Sequence, residues 1–229
     1  MTLNNAVETL ITVQGTASDW YDAERATLVV QVQHDGPKRE PVFEATTRVG
    51  ADVTAAIKAL DGTAVTRWSS DRVSVWSNRP WNNEGKQLAP VYYASLSATA
   101  RFQDFDALAA LVERFATVEG VTISSISWDL TEEKRLAVTT EIQTRAVQDA
   151  TVKATTYARA AGLTKVSAIA IADPGMLGTG GGGDQPFPAG GGMMRTQKMM
   201  SMDAGAPALT FTPDKIEVAA TVDARFSAS

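Results

Sequence analysis

Cysteine is absent from the 229 residues, and histidine occurs once, as His34. The first absence excludes disulfides, thiolate zinc sites and a cysteine nucleophile together. One histidine without cysteine cannot complete the usual zinc ligand set. A Ser-His-Asp triad would need His34 as its base, and no G-x-S-x-G elbow exists to supply the nucleophile. His34 sits where a strand ends before Gly36-Pro37, and it reads as an exposed strand-end residue. Long basic runs are also missing. Nothing exceeds Lys38-Arg39 or Lys134-Arg135, and the net charge is −5, so the clustered footprint that nucleic acid requires is not there. No apolar run approaches the roughly 18 residues that span a bilayer, so no membrane insertion is expected. Met1 to Glu8 (MTLNNAVE) has neither a basic start nor an apolar core. It does not read as a signal peptide, which makes the cytoplasm the expected location; a leader removed earlier would instead mean a periplasmic or secreted protein.

What is present describes an ordinary globular chain. Hydrophobic residues make up 44% and charged residues 21%, a balance that supports a buried core without staples. Alternation at period two is plain in three places. Leu28, Val30 and Val32 alternate with Thr27, Gln31 and Gln33; Ala94, Leu96, Ala98, Ala100 and Phe102 alternate with Ser95, Ser97, Thr99 and Arg101. Near the end, Val218, Ala220, Val222, Ala224 and Phe226 alternate with Thr221, Asp223 and Arg225. Successive strand side chains point to opposite faces, so each pattern predicts a strand with one dry and one wet face. Half-wet strands belong to antiparallel or mixed sheets. Weaker strands are predicted over 8–15, 64–69, 72–77, 121–128 and 165–172.

Three stretches have helical period. The first lines up Val42, Val49, Val53, Ile57 and Leu60 and stops at Asp61-Gly62. The second follows Asp104 as N-cap and buries Leu108, Leu111, Val112 and Phe115. The third opens on a capping-box-like Asp129 and Glu132 and closes at Gly162-Leu163. Along it Ala146, Ala150, Ala154 and Ala158 share one arc, and Glu141, Arg145, Asp149 and Lys153 form a second row of alternating sign. That charged row reads most simply as a solvated face, with a contact between subunits as the sharper reading. The order reads β-β-α-β-β-α-β-α-β, then a loop and a final strand. The fold class is therefore α+β, an antiparallel or mixed sheet with three helices, in one domain over residues 1–229.

The loop at 174–206 holds ten glycines and the methionines Met193, Met194, Met199, Met200 and Met202. Its glycines lack the Lys-Ser or Lys-Thr of a phosphate loop and run into Asp184-Gln185-Pro186, so they supply flexibility. The methionines suit an adaptable apolar contact, and thioethers also suit Cu(I), which keeps a metal- or small-molecule-binding alternative open. Residues 78–90, with Pro80, Trp81 and Gly85, read as an extended hairpin tip. Trp68, Trp76 and Trp81 near it are either core or an exposed patch. Carboxylate pairs such as Asp104/Asp106 and Glu132/Glu133 sit at helix starts, where the helix end explains them without catalysis.

Several segments together resemble the SIMPL-domain family, whose bacterial members include periplasmic and outer-membrane antigen proteins. Ile11-Thr12-Val13-Gln14-Gly15 and Ala26 to Val32 are similar to its first two strands; the alanines from Ala146 to Ala158, Gly162-Leu163, Val166 and Ile169 are similar to its alanine-rich helix and next strand. Met193-Met194-Arg195, Met199-Met200, Ala206-Pro207, Thr212-Pro213 and Ile216-Glu217-Val218 are similar to its Met-rich approach to the last strand. Asp214 departs from the glycine the family often places after that proline. The resemblance implies an α+β fold, large ring-like homo-oligomers, a tie to stress response and no enzymatic activity. No catalytic, cofactor-binding or metal residues are assigned. The expected partner is the chain itself, in an assembly larger than a dimer, with Glu141, Arg145, Asp149, Lys153, Met193, Met194, Met199, Met200 and Met202 as candidate self-association residues.

Overall fold

The alternation at residues 26–32 has a direct structural consequence. A computed structural model describes residues 8–81, 83, 85–178 and 211–229. In it Leu28, Val30 and Val32 are fully buried, on strand β2 (Arg25–Gly36). Strand β1 (Thr9–Tyr21) precedes it, and helix α1 (Arg39–Lys58) follows. Then come β3 (Val65–Ser70), β4 (Ser74–Asn78), β5 (Val91–Phe102), α2 (Phe105–Ala116), β6 (Val121–Asp129), α3 (Glu132–Ala160), β7 (Val166–Ala172) and β8 (Ile216–Ala228). The α+β class holds, with three helices and two sheets among the described residues. The Gly-rich stretch beyond residue 178 and the five methionines at 193–202 lie outside the described residues.

Three strands separate α1 from α2, in agreement with the strands predicted over 64–69, 72–77 and 94–102, although the element order read from sequence counts two there. β3 and β4 are two halves of one interrupted edge, which that order merges. Both pair with β5, Ser70 opposite Ala98 and Ser74 opposite Ser95, with a break at Asp71-Arg72-Val73.

The described residues gather in two compact units. One contains residues 20–135 and 211–216. Its sheet runs β3-β5-β2-β6 with β4 also on β5, all antiparallel. Phe102, Leu28, Val30 and Val32 on its inner face pack with Val53 and Ile57 of α1 and Leu108, Leu111 and Phe115 of α2. Each fully buried side chain of this size is worth roughly 1.5–3 kcal/mol. A slip of one residue would expose the whole set, so burial fixes the register Val30↔Ala98 and Leu28↔Ala100. Asp104 caps α2 as its position predicts, its Oδ1 accepting from the Asp106 and Ala107 amides at 3.0 Å.

The cap of α3 differs from the sequence reading. Thr131, not Asp129, closes the helix start: its hydroxyl accepts from the Lys134 amide at 3.2 Å. Asp129 is held by Arg25 at 2.7 Å and by Arg135. Burial would raise the Asp129 carboxyl, but hydrogen bonds from those two arginines and the Leu130 amide outweigh it and lower the pKa below the usual value.

The other unit contains residues 8–19, 136–178 and 217–229. Its sheet runs β1-β8-β7. Val13, Val222, Ala224 and Phe226 pack against Ala146, Ala150 and Ala154 of α3. Val138 and Ile142 extend that buried row upstream and Ala158 downstream, all at spacing four. The helix closes at Gly162, whose φ of +79° is the left-handed value glycine takes without strain.

Candidate functional site

The small side chains of α3 set how near β1 can come. Gly15 sits where an added Cβ would lie 2.0 Å from Ala146 O and 2.7 Å from the Ala150 Cβ, so helix and strand touch backbone to backbone. At that distance the next helix row reaches the strand too. The Asp149 carboxylate accepts from the Thr16 amide at 2.9 Å and pairs with Lys153 at 2.7 Å; the Lys153 ammonium donates to Gln14 O at 3.0 Å. Arg145 pairs with Asp19 at 2.8 Å and reaches Glu141 at 4.0 Å. The hydrogen bond from Lys153, joined by the Thr16 amide, lowers the Asp149 pKa below the usual carboxylate value.

Glu141, Arg145, Asp149 and Lys153 therefore lie in one row, as the spacing predicts; the last three reach β1 of the same chain, and Glu141 reaches Arg145. Among the described residues β1 is an outer strand, pairing only with β8. Main-chain groups at such an edge invite another strand, and proteins blunt them with charge. Here the charge comes from the neighbouring helix. Gln14, Thr16 and Asp19 were not singled out from sequence. The available signal was Gly15, a glycine inside an alternating strand, which marks close backbone approach.

β7 at the opposite edge carries the sequence VSAIAIA, with no charge and no proline. It pairs with β8 on one side, and among the described residues no strand pairs with the other. Its register shifts between Ala168 and Ala170, leaving Ile169 in a bulge. Ile169 is 56% exposed and Ile171 50%. Beside the strand lies an open groove of about 600 Å³, lined by Val147, Ile171, Met176 and Val222 among others.

The outward side of α3 continues this uncharged surface. Leu136, Thr140, Thr144, Gln148, Val152 and Thr156 follow at spacing four, diametrically opposite the buried row. Leu136 is 72% and Val152 64% exposed. The hydroxyls of Thr140, Thr144 and Thr156 donate to the carbonyls of Leu136, Thr140 and Val152 at 2.8–3.0 Å, which leaves their methyl groups outermost.

His34 is half-buried rather than exposed. Gly120, with φ +78°, lets the ring pack on its backbone, where a Cβ would meet Nε2 at 2.5 Å. Its Nδ1 lies 3.2 Å from the Thr46 hydroxyl. The same hydroxyl lies 2.9 Å from Val42 O, to which it donates. Of the tryptophans, Trp68 packs on the core, Trp76 stacks on Tyr93 at 5.6 Å and Trp81 is 67% exposed. The Trp81–Gln87 bridge makes residues 78–90 the expected hairpin tip. Among the described residues, no three His, Asp or Glu side chains gather as metal ligands, and no helix is long and apolar enough to cross a membrane.

No curated protein matches the sequence. Among solved structures, a crystal structure of an amidase of the hydantoinase/carbamoylase family from Burkholderia phymatum aligns with 58% of this chain and 35% of its own, at 14% identity and a TM-score of 0.23, too low to bear on fold or function. The chain thus spans about a third of that protein's length. Residues 11–226 match the family described as SIMPL, protein of unknown function (DUF541). With nearly the whole length matched, from the first residues of β1 into β8, the chain belongs to the SIMPL family.

Proposed function

We propose that this protein is a non-enzymatic, self-assembling homo-oligomer larger than a dimer, built through the uncharged surfaces of β7 and α3. The observation that carries the reading is the open edge of β7, uncharged and flanked by exposed Ile169 and Ile171. Edge strands of this kind template pairing with another chain, and natural proteins leave them bare where pairing is intended. Two β7 strands laid antiparallel would join two three-stranded sheets into one. That contact is isologous and by itself stops at a dimer. The α3 ridge is a second surface, with row spacing suited to ridge-into-groove packing against its own copy. Two different two-fold contacts alternate around a ring when the rotation between them closes, and they extend as a filament when it does not.

This reading moves the contact away from the row Glu141, Arg145, Asp149 and Lys153, of which Arg145, Asp149 and Lys153 engage β1 within the chain and Glu141 reaches Arg145. Light scattering coupled to size exclusion of the full chain at micromolar concentration tests it. A mass of several multiples of 24.3 kDa is expected, and a mass near 24.3 kDa refutes it.

A further inference from the structure

From Val29 to Gln33 of β2 the outer face of the five-stranded sheet is uncharged, and the adjoining row carries two arginines. Thr27, Val29 and Gln31 of β2 face Arg101, Thr99 and Ser97 of β5, and Arg101 has a second arginine, Arg67 of β3, directly opposite on its other side. Like charges placed opposite one another across strands repel. The pairing is not forced by regular alternation. Val65 pairs with Phe102 and Arg67 with Arg101, so Thr66 is an extra residue in β3. Without it Thr66 would face Arg101 and Arg67 would turn inward. The bulge therefore aims Arg67 at Arg101, and bulges recur beside functional sites because they re-aim side chains in this way.

Neither arginine makes an ion pair among the described residues, although the chain has more acids than bases, 26 to 21. Arg25, on the same face at the next row, shows the alternative, with Asp129 at 2.7 Å and Glu132 at 3.1 Å. The two unpaired arginines border a cavity of about 240 Å³, completed by Thr27, Trp68, Ser69 and Thr99. Every polar side chain in this lining can donate a hydrogen bond and none is a carboxylate. Its volume falls below the roughly 300–1,000 Å³ of pockets for drug-sized ligands, which suits a single group rather than a large molecule.

We propose that Arg67 and Arg101 bind a tetrahedral oxyanion, phosphate or sulfate in type, free or as the terminal group of a small organic ester. Both arginines border the one cavity, and guanidinium forks match oxyanion geometry in a way that point charges do not. The hydroxyls of Thr27, Ser69 and Thr99 supply further donors. The bound anion offsets the repulsion that the bulge creates. A nucleic-acid track is not favoured, because the row on one side (Val29, Thr99, Ser69) is uncharged, Arg25 on the other is paired with Asp129 and Glu132, and a track needs free basic groups in succession. This site is independent of the assembly surfaces.

The test is titration of the full-length chain at low salt with inorganic phosphate and, separately, glycerol 3-phosphate, following the side-chain Nε–Hε signals of Arg67 and Arg101 by NMR. Saturable shifts confined to these two signals are expected, with the tighter of the two titrants identifying a free anion or an ester as the preferred form. Arg101→Gln should weaken binding at least about tenfold. Arg114→Gln, which removes an equal charge from the last turn of α2, should leave it unchanged. A structural reading is separated by thermal melting: phosphate should raise the melting temperature of the wild type and not of Arg101→Gln, whose own melting temperature should be equal or higher because the repulsion is gone. Linear, unsaturating shifts, or equal weakening in Arg101→Gln and Arg114→Gln, would overturn the proposal.

Discussion

β1 and β7 are the two outer strands of one three-stranded sheet, and they meet solvent on different terms. The outer edge of β1 is taken up by its own helix. Asp149 holds the Thr16 amide, Lys153 holds Gln14 O, and Arg145 holds Asp19. β7 has aliphatic side chains and small ones, and its edge lacks such guards among the described residues. The sheet thus has one closed and one open side, and the difference lies in α3. Through its middle the helix carries charge on the β1 flank, with Arg145, Asp149 and Lys153, and uncharged Thr139, Gln143 and Val147 on the flank beside β7. An edge exposed by neglect would be blunted by lysine or proline. The chain spends three charged residues of α3 on β1, and β7 itself carries none, which makes the edge of β7 a feature to be tested.

The hardest way to break the comparison is to separate β1 from α3. Gly15→Ala adds one methyl group at a point where its carbon would lie 2.0 Å from Ala146 O and 2.8 Å from Ala150 N, both backbone atoms that cannot swing away. The substitution gains about 0.4–1 kcal/mol by restricting the unfolded chain. Overpacking of a close contact costs roughly 1–3 kcal/mol, and here the upper end applies because backbone must move. The clash wins, and we expect a net loss of about 2 kcal/mol, read as a lower urea midpoint with an unchanged slope. A midpoint equal to wild type would show that β1 is not seated on α3 as described.

Closing the open edge is the next test. Ile169→Lys places on β7 the kind of residue that guards natural edges. The side chain is 56% exposed, so folding stability should change by no more than about 0.5 kcal/mol. The assembly should respond much more strongly, with the mass from light scattering falling at least to half. An unchanged mass alongside an unchanged unfolding curve would remove β7 from the assembly reading and leave the α3 ridge to explain it.

Much of this architecture is legible from residue order. Alternation in 26–32, 94–102 and 218–226 marks the strands with one dry face, and spacing of four from Ala146 to Ala158 marks the buried row of α3. These signals are local and repeat over many residues, so they survive tertiary context. What sequence did not disclose depends on partners distant in the chain. The row Glu141, Arg145, Asp149 and Lys153 is visible as a row, but its orientation toward β1 rests on contacts about 126–139 residues apart. The cap of α3 moved from Asp129 to Thr131 because Arg25, over a hundred residues upstream, claims the aspartate. Arg67 opposite Arg101 needs a bulge that leaves no mark in composition. The open edge of β7 was legible only as a weak strand, because alternation says which residues are exposed and not which strand lies outermost.

The smallest expected effect is the most local one. Asp149→Ala removes the acceptor of the Thr16 amide and the partner of Lys153, without touching the alanine row that carries the packing. Both partners are solvent-exposed, and exposed pairs contribute little to global stability. Alanine also favours helix more than aspartate does, which offsets part of the loss. The unfolding midpoint is therefore a poor readout, and the protection of the Thr16 amide against hydrogen exchange is a direct one. At neutral pH its protection factor should fall several-fold in Asp149→Ala, while amides on the β8-facing side of β1 keep theirs. Acid gives an independent check on the cause. The Asp149 carboxyl has a lowered pKa in the folded chain, so the unfolded chain takes up its proton first. The contribution is thus fully present above the ordinary value of 3.8 and is lost as pH falls through the lower folded value. The difference in Thr16 protection between wild type and variant should stay constant down to that region and then close. A difference that narrows well above it, or a variant whose Thr16 amide is as protected as wild type at neutral pH, would show that the edge of β1 is shielded by something other than Asp149.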